Sequence, residues 1–188
     1  MSDSIVNIVN RALDHIGQQT LVSFDDPGPN PARIRRLWPQ VRDAVLREHT
    51  WKSATRRVKL NELAARPTFG FERAYQLPPD FLRLVETSPA EARVQVEGDS
   101  LLADVENLYI AYVARVDDPG LYDAALKDVL SLKLAAELAY GVSASVSLAG
   151  QLEEKYRQRL REARGHDARE GDGVPTGMGT WARARLGG

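Results

Sequence analysis

The fold of this 188-residue chain is decided by residues 118–140, Asp118-Pro-Gly-Leu-Tyr-Asp-Ala-Ala-Leu-Lys-Asp-Val-Leu-Ser-Leu-Lys-Leu-Ala-Ala-Glu-Leu-Ala-Tyr140. The first two residues are a helix-start signal, because aspartate can cap free amides and proline fits the first helical turn. Apolar residues then recur at helical spacing until Tyr140 and Gly141. The stretch therefore predicts the longest helix of the chain, and with it a helix-rich protein.

Two apolar stripes run along this predicted helix when residues are placed 100° apart. The first stripe consists of Ala125, Val129, Leu132, Ala136 and Ala139. The second stripe consists of Leu126, Leu130, Leu134 and Leu138. Two interpretations follow. Either the helix is central in the monomer and covered on both sides, or the leucine stripe is an inter-subunit contact with a neighbouring copy.

A last helix is predicted after this one. Ser143 or Ser145 caps it, and Gly165 ends it. Its single apolar stripe consists of Ala149, Leu152, Tyr156, Leu160 and Ala163. From residue 166 onward the chain is polar and rich in glycine, which predicts an extended tail.

Two helices are predicted before residue 50. The first starts from Ser2, Asp3 or Ser4 and ends at Gly17, a residue suited to the left-handed position after a helix. The second starts at Asn30-Pro31 after a proline-rich loop, and Pro39 inside it predicts a kink.

The middle of the chain changes to strand periodicity. Val58 and Leu60 alternate with polar neighbours, as do Val94 and Val96, and Gly98-Asp99 predicts a hairpin turn. The run at 108–116 is apolar on both faces, which predicts a central strand. The stretch around residues 67–79 is predicted as loop, followed by a short turn at 80–82.

The predicted fold class is therefore mainly α with a β insertion (α+β). Residues 1–50 and 117–165 are expected to form an antiparallel four-helix bundle. Residues 51–116 are expected to form one small antiparallel sheet inserted between the N-terminal and C-terminal helix pairs. Residues 166–188 form the extended C-terminal tail.

The composition of the chain excludes several classes of function. Lys and Arg total 25 against 26 Asp and Glu, a balance without the basic excess of proteins that grip duplex DNA. The chain has no cysteine, which excludes disulfides and thiolate metal sites. No signal region opens the chain and charges break every apolar run, so we expect an aqueous, reducing compartment and no membrane contact.

The residues that could carry catalysis are scattered. His15, His49 and His166 lack the spacing of metal ligands, and the acid pairs Asp25-Asp26 and Asp117-Asp118 stand before prolines, where capping and turns explain them. The acidic cluster Asp167, Glu170 and Asp172 lacks the loop pattern of a calcium site. We therefore predict no catalytic residue, no cofactor and no metal, and a non-enzymatic, structural protein.

A set of segments occurs in a distinctive order along the chain. They are Ala12-Leu-Asp-His-Ile-Gly17, Ser23-Phe-Asp-Asp26, Val41-Arg-Asp-Ala-Val-Leu-Arg-Glu-His-Thr-Trp51 followed by Ala54 and Arg57, Pro67-Thr-Phe-Gly70, Ala74-Tyr-Gln-Leu-Pro-Pro-Asp-Phe-Leu-Arg83, Val96-Glu-Gly98, Tyr109-Ile-Ala-Tyr112, Asp117-Asp118-Pro119 and Ala163-Arg-Gly-His-Asp-Ala-Arg-Glu170. Together they resemble the tail tubular protein A, or head-to-tail adaptor, family of short-tailed bacteriophages. The segments at 67–70 and 74–83 match best, whereas Trp38-Pro39 departs from the family's second helix.

The resemblance implies a ring of twelve copies in the neck of the virion, assembled in the host cytoplasm. Its partners would be the portal protein above and the tail nozzle protein below, with double-stranded DNA passing through the channel without tight binding. The alternatives are a small helical nucleic-acid-binding protein and, less in keeping with the sequence, a small hydrolase or metal enzyme.

The tail carries spaced apolar and basic residues of the types that anchor interfaces. They are Val174, Met178, Trp181, Arg183, Arg185 and Leu186. We predict that they bind the portal, with Trp181 entering an apolar pocket and the two arginines meeting acidic groups.

Overall fold

The computed structural model describes residues 5–142 and 145–171. The helices are α1 (Ile5–His15), α2 (Pro29–Glu48), α3 (Ala124–Val142) and α4 (Val146–Gly171), with short 3-10 turns at Lys52–Ala54 and Pro119–Leu121. The strands are β1 (Thr55–Lys59), β2 (Asn61–Glu62), β3 (Arg73–Gln76), β4 (Phe81–Ser88), β5 (Val94–Glu97), β6 (Ser100–Ala103) and β7 (Tyr109–Ala114).

Helix α1 ends as its sequence predicts. Gly17 has a φ of 65°, its amide donates to the carbonyl of Asp14 at 3.2 Å, and the next amide, Gln18, donates to Leu13 at 3.0 Å. This pair of bonds satisfies the last carbonyls of the helix, and the positive φ is the reason for glycine here. The predicted caps at residues 2–4 lie outside the described residues.

Helix α2 begins at Pro29, two residues before the predicted start, and continues through Pro39 to Glu48. A side chain of another helix supplies a hydrogen bond at the C-terminal end of α2: the Arg164 guanidinium on α4 donates to the carbonyl of Glu48 at 2.5 Å. A cation at this end also matches the negative pole of the helix dipole.

Helix α3 starts later than predicted and is shorter than α2 and α4, so the prediction that it is the longest helix is wrong. Asp118 caps only the 3-10 turn, accepting from the Gly120 amide at 2.8 Å. Asp123 starts the α-helix instead, accepting from the Leu126 amide at 2.7 Å. Two capping aspartates five residues apart therefore divide one predicted helix into a turn and a helix.

One of the two predicted caps of helix α4 is confirmed, but the predicted end of this helix is wrong. Helix α4 is capped at Ser145, whose hydroxyl accepts from the Leu148 amide at 3.2 Å, one of the two predicted caps. It then passes through Gly165 and ends at Gly171, so residues 166–171 are helical and are not part of a tail. Each interior glycine costs only about 1 kcal/mol, and strong helix formers on both sides of Gly165 offset that cost.

The predicted single small sheet is wrong, because the β region forms two antiparallel sheets. Sheet A has the strand order β1-β7-β4, and sheet B has the order β2-β3-β6-β5. Strand β3 lies in the predicted loop, and β4 lies where only a turn was expected. Nearby prolines and glycines obscure both strands, and register shifts at two points in β4 break its alternation.

Strand β7 is apolar on both faces because each of its faces packs into a different core. Ile110, Tyr112 and Ala114 point towards sheet B and share a core with residues such as Tyr75 and Leu101. Val113 points the other way, into the core of the helices. The predicted central strand is confirmed, as is the β5–β6 hairpin, where Gly98 has a φ of 61°.

The predicted four-helix bundle is wrong as well. Helices α1, α2 and α4 pack around α3, and α2 also contacts β4 and β7 of sheet A. Leu82 and Val113 from the sheet, together with Val116 beyond it, complete the helical core. The protein is therefore layered as helices, sheet A and sheet B, because sheet A buries one face against each neighbour.

Candidate functional site

A charged network joins α2 to the chain that leaves β7. Arg42 is only 8% exposed, and its Nε donates to Asp43 at 2.8 Å while Nη1 donates to Asp117. Arg115 Nε donates to the other oxygen of Asp43 at 2.9 Å. The buried guanidinium therefore has carboxylate partners on both elements, which is the condition for burying a charge without a large penalty.

Tyr122 lies beside this network. Its hydroxyl donates to the carbonyl of Val116 at 2.5 Å. Burial raises the pKa of Tyr122 to about 12, although the nearby Arg42 cation acts in the opposite direction. The neutral phenol is thus the form that the folded protein stabilises.

A second network ties the three strands of sheet A. The Asp80 carboxylate, just before β4, accepts from Tyr112 of β7 at 3.0 Å and from Arg56 of β1 at 2.7 Å. The Asp80 carbonyl accepts from the amide of Arg115 at 2.6 Å. Burial, followed by the hydrogen bond to Asp80, raises the pKa of Tyr112 to about 12.

These two networks bring together segments that carry the family resemblance. Arg42 and Asp43 belong to the segment 41–51, and Asp117 opens the segment 117–119. In the same way, Asp80 lies in the segment 74–83 and Tyr112 ends the segment 109–112. Four of the segments are therefore joined in pairs by side-chain contacts that sequence analysis did not anticipate.

A polar groove of about 440 Å³ lies between α1, α3 and α4. Two ion pairs occupy its walls: Arg11 with Asp128 at 2.6 Å, and Arg159 with Glu162 at 2.7 Å. Burial, followed by the cations of Lys155 and Arg11, lowers the pKa of His15 in this groove. The charges here are largely matched with each other.

The other predicted candidates have local roles. Asp26 accepts from the amides of Val22 and Ser23, so it holds a turn as expected. The ring of His49 contacts Trp51 edge to face at 4.8 Å. Among the described residues no three His, Asp or Glu side chains are grouped so that they could hold a metal ion. The side chains of the acidic cluster at 167–172 lie outside the described residues.

The leucine stripe of α3 has a clear position. Leu126, Leu130, Leu134 and Leu138 are all 0% exposed and belong to the helical core. The other stripe is buried from Val129 to Ala139, whereas Ala125 at its start is exposed. The leucine stripe is covered within one copy of the chain, so in this structure the leucines offer no surface for an inter-subunit contact.

The residues predicted to bind the portal all lie beyond residue 171, outside the described part of the chain. They are Val174, Met178, Trp181, Arg183, Arg185 and Leu186.

One exposed surface that sequence analysis missed is the loop between β2 and β3. This Phe69 loop, residues 63–72, lies over the outer face of sheet B, where it borders Ala74 and Leu102. Its base is held by the Leu63 amide donating to Ala74 at 2.8 Å, and Arg93 stacks on Phe71 at 4.4 Å. Phe69 itself remains 87% exposed.

A second missed surface lies on the opposite side of the sandwich. This Tyr109 cleft has a volume of about 370 Å³ and is lined by β1, β4 and β7, including Arg57, Lys59, Glu86, Tyr109 and Ala111. Tyr109 is 46% exposed, and Arg57 bonds to Glu86 at 3.0 Å across the cleft. The alternation of Arg57 and Lys59 in β1 was the available signal, since it predicts a strand with a wet face.

Of the helices among the described residues, none combines the length and the apolar character needed to cross a membrane.

Comparisons with known proteins assign the chain to no family. No family model matches the chain, and no curated protein matches it.

Proposed function

We propose that the chain is a structural head-to-tail adaptor of a short-tailed bacteriophage. In this role, copies form a ring under the portal, extend the DNA channel and carry the tail nozzle, without acting as an enzyme. The role of each subunit is mechanical, because it joins two larger assemblies and leaves an open path between them.

The observation that carries this proposal is the pairwise meeting of the resembling segments. Arg42 meets Asp117 across 75 residues of sequence, and Tyr112 meets Asp80 across 32. These contacts make the resembling segments part of the framework that holds α2 and the strands of sheet A together, which supports treating them as one connected resemblance and not as isolated matches.

The charge pattern also supports a channel subunit. The formal net charge is −1, and exposed cations such as Arg57 and Arg159 are engaged by Glu86 and Glu162. DNA that slides through a channel needs a wall that attracts its phosphates only weakly. A wall with matched charges meets that need.

We assign attachment to the portal to the tail residues 172–188. Trp and Arg are the side chains that most often dominate binding energy at interfaces, and residues 181–185 supply one tryptophan and two arginines. Among the described residues Ala163 is the last member of the helical core, so a variant that lacks residues 172–188 keeps every described core residue.

The experiment mixes the purified chain with portal rings of the same phage and images the product by electron microscopy. We expect a ring of the chain below the portal that continues its channel. A variant that lacks residues 172–188 is the control: it should keep its melting temperature and lose portal attachment. Failure of the full-length chain to attach would refute the adaptor role, and full attachment by the shortened chain would refute the role of the tail.

A second measurement separates the adaptor from a nucleic-acid-binding protein. Fluorescence anisotropy with a short DNA duplex at physiological salt should show no complex, because matched charges leave few cations to release counterions. A micromolar or tighter complex that weakens steeply with salt would favour the alternative function.

A further inference from the structure

We propose that neighbouring copies of this chain bind head to tail through the β sandwich, with the Phe69 loop of one copy entering the Tyr109 cleft of the next. The inference rests on the proposed function, since it specifies how copies of the subunit contact each other. It assigns the inter-subunit role to the sheets and not to the leucine stripe of α3.

The Phe69 loop is built to project an aromatic ring. Its turn contains Pro67 and Gly70, and the φ of 85° at Gly70 is a conformation that glycine adopts without strain. The hydrogen bond from Leu63 to Ala74 and the bond from the Glu72 amide to Asp104 at 3.0 Å hold both ends of the loop. An exposed ring on a held loop loses little conformational entropy on binding.

The Tyr109 cleft offers a matching receptor. Ala111 forms its floor on β7, and the small side chain leaves room between the longer neighbours on β1 and β4. Lys59 lies 5.8 Å from the centre of the Tyr109 ring and donates to Asn107 at 2.8 Å. The cleft thus combines an aromatic wall with a charged rim, which is the usual composition of an interface pocket.

The two surfaces lie on opposite faces of the two-sheet sandwich, the Tyr109 cleft being on the face of sheet A that also packs on the helices. Ile110 and Tyr112 of β7 face sheet B, so Tyr109 and Ala111, which alternate with them, face away from it. The Phe69 loop covers the far side of sheet B. When the loop of one copy binds the cleft of a second, the cleft of the first copy and the loop of the second stay free. Further copies can bind at both, and repetition of the contact generates a ring or a filament.

Charge favours this pairing. The Tyr109 cleft is lined by two cations, Arg57 and Lys59, and one carboxylate, Glu86. The sheet B side, residues 61–76 and 93–107, carries three arginines against six carboxylates: Glu62, Glu72, Glu97, Asp99, Asp104 and Glu106. The net positive cleft of one copy therefore complements the acidic sheet of the next, and complementary fields orient such an encounter.

The first test compares single-site variants by sedimentation velocity over a series of chain concentrations. Phe69→Asp should raise the dissociation constant of self-association about thirtyfold, the effect of losing one interface hot spot. Val22→Asp is the matched control, because Val22 is 93% exposed at a site away from both sheets and should leave assembly unchanged. Circular dichroism verifies that both variants fold.

The second test uses a cleft variant, Arg57→Glu with Lys59→Glu, which reverses the charge of exposed side chains. At a concentration between the dissociation constants of the wild-type chain and of Phe69→Asp, this variant and Phe69→Asp should each be monomeric alone. Mixed together, they should form a dimer of one copy each, because one supplies an intact loop and the other an intact cleft. If assembly starts only on portal rings, the same variants are scored there, and they should attach as separate copies without closing a ring.

Wild-type assembly by Phe69→Asp, or a mixture that behaves like its separate components, would overturn the head-to-tail contact. Either result would leave the adaptor role intact. Failure of the wild-type chain to attach to the portal counts against the proposed function instead, so the two failures are distinguishable.

Discussion

The hydroxyl of Tyr112 donates a 3.0 Å hydrogen bond to the carboxylate of Asp80 and thereby joins the middle of β7 to the start of β4. Arg56 on β1 binds the other oxygen of the same carboxylate at 2.7 Å. One aspartate therefore connects all three strands of sheet A, at the layer where the sheet separates the helices from sheet B.

Replacing this hydroxyl should weaken the protein measurably. Tyr112→Phe removes one buried hydrogen bond while keeping the ring, so we expect the free energy of unfolding in urea to fall by about 1 kcal/mol. Tyr109→Phe is the matched control, because the side chain is half-exposed and should change stability by less than about 0.5 kcal/mol. Equal losses in the two variants would contradict the role of the Asp80 bond.

Stability should fall at alkaline pH. Burial raises the pKa values of both Tyr112 and Tyr122 from 10.0 to about 12. The unfolded chain releases these protons first, so this stabilisation is complete below pH 10.0 and is lost as the pH rises to about 12. Urea unfolding across this range, with tyrosinate absorbance as a second signal, measures the loss. The double Tyr→Phe variant should show a shallower fall, and an identical slope would contradict the assignment.

A charge in the leucine stripe should unfold the protein. Leu134 is fully buried, so Leu134→Asp places an unpaired carboxylate in the core and should cost on the order of 4 kcal/mol or more. Leu121→Asp, at a side chain that is 55% exposed, should remain folded. Far-ultraviolet circular dichroism of both variants gives the answer, and a folded Leu134→Asp protein that fails to assemble would restore the inter-subunit interpretation.

Removing the buried Arg42 side chain should reduce the stability of the protein more than removing the exposed Arg57 side chain. Arg42→Ala leaves Asp43 with only Arg115 and removes the link to Asp117, so we expect a loss of about 2 kcal/mol, reduced because Asp117 is largely exposed. Arg57→Ala breaks an exposed pair with Glu86 and should cost less than about 1 kcal/mol. Thermal and urea unfolding of the two variants test the order, and a greater loss for Arg57→Ala would reverse the argument.

Part of the candidate site could be anticipated from the sequence. Asp26 and Asp118 were predicted to serve turns, and the structure confirms both. The Phe69 loop was predicted as a loop, yet nothing in its sequence shows that its base is held by sheet B. The Tyr109 cleft could not be predicted, because its walls come from strands that are distant in sequence, one of which was missed.

The sequence by itself determined the features that depend on near neighbours: the two stripes of α3, the glycine end of α1, the hairpin at Gly98 and the doubly apolar strand β7. Their physical causes, helical and strand periodicity and the steric freedom of glycine, act within a few residues. Only the tertiary structure decided the division into two sheets, the ion pair between Arg42 and Asp117, and the burial of Leu134 by the same chain. Those outcomes depend on which distant surfaces meet, and a periodic pattern records that a face is apolar without recording what covers it.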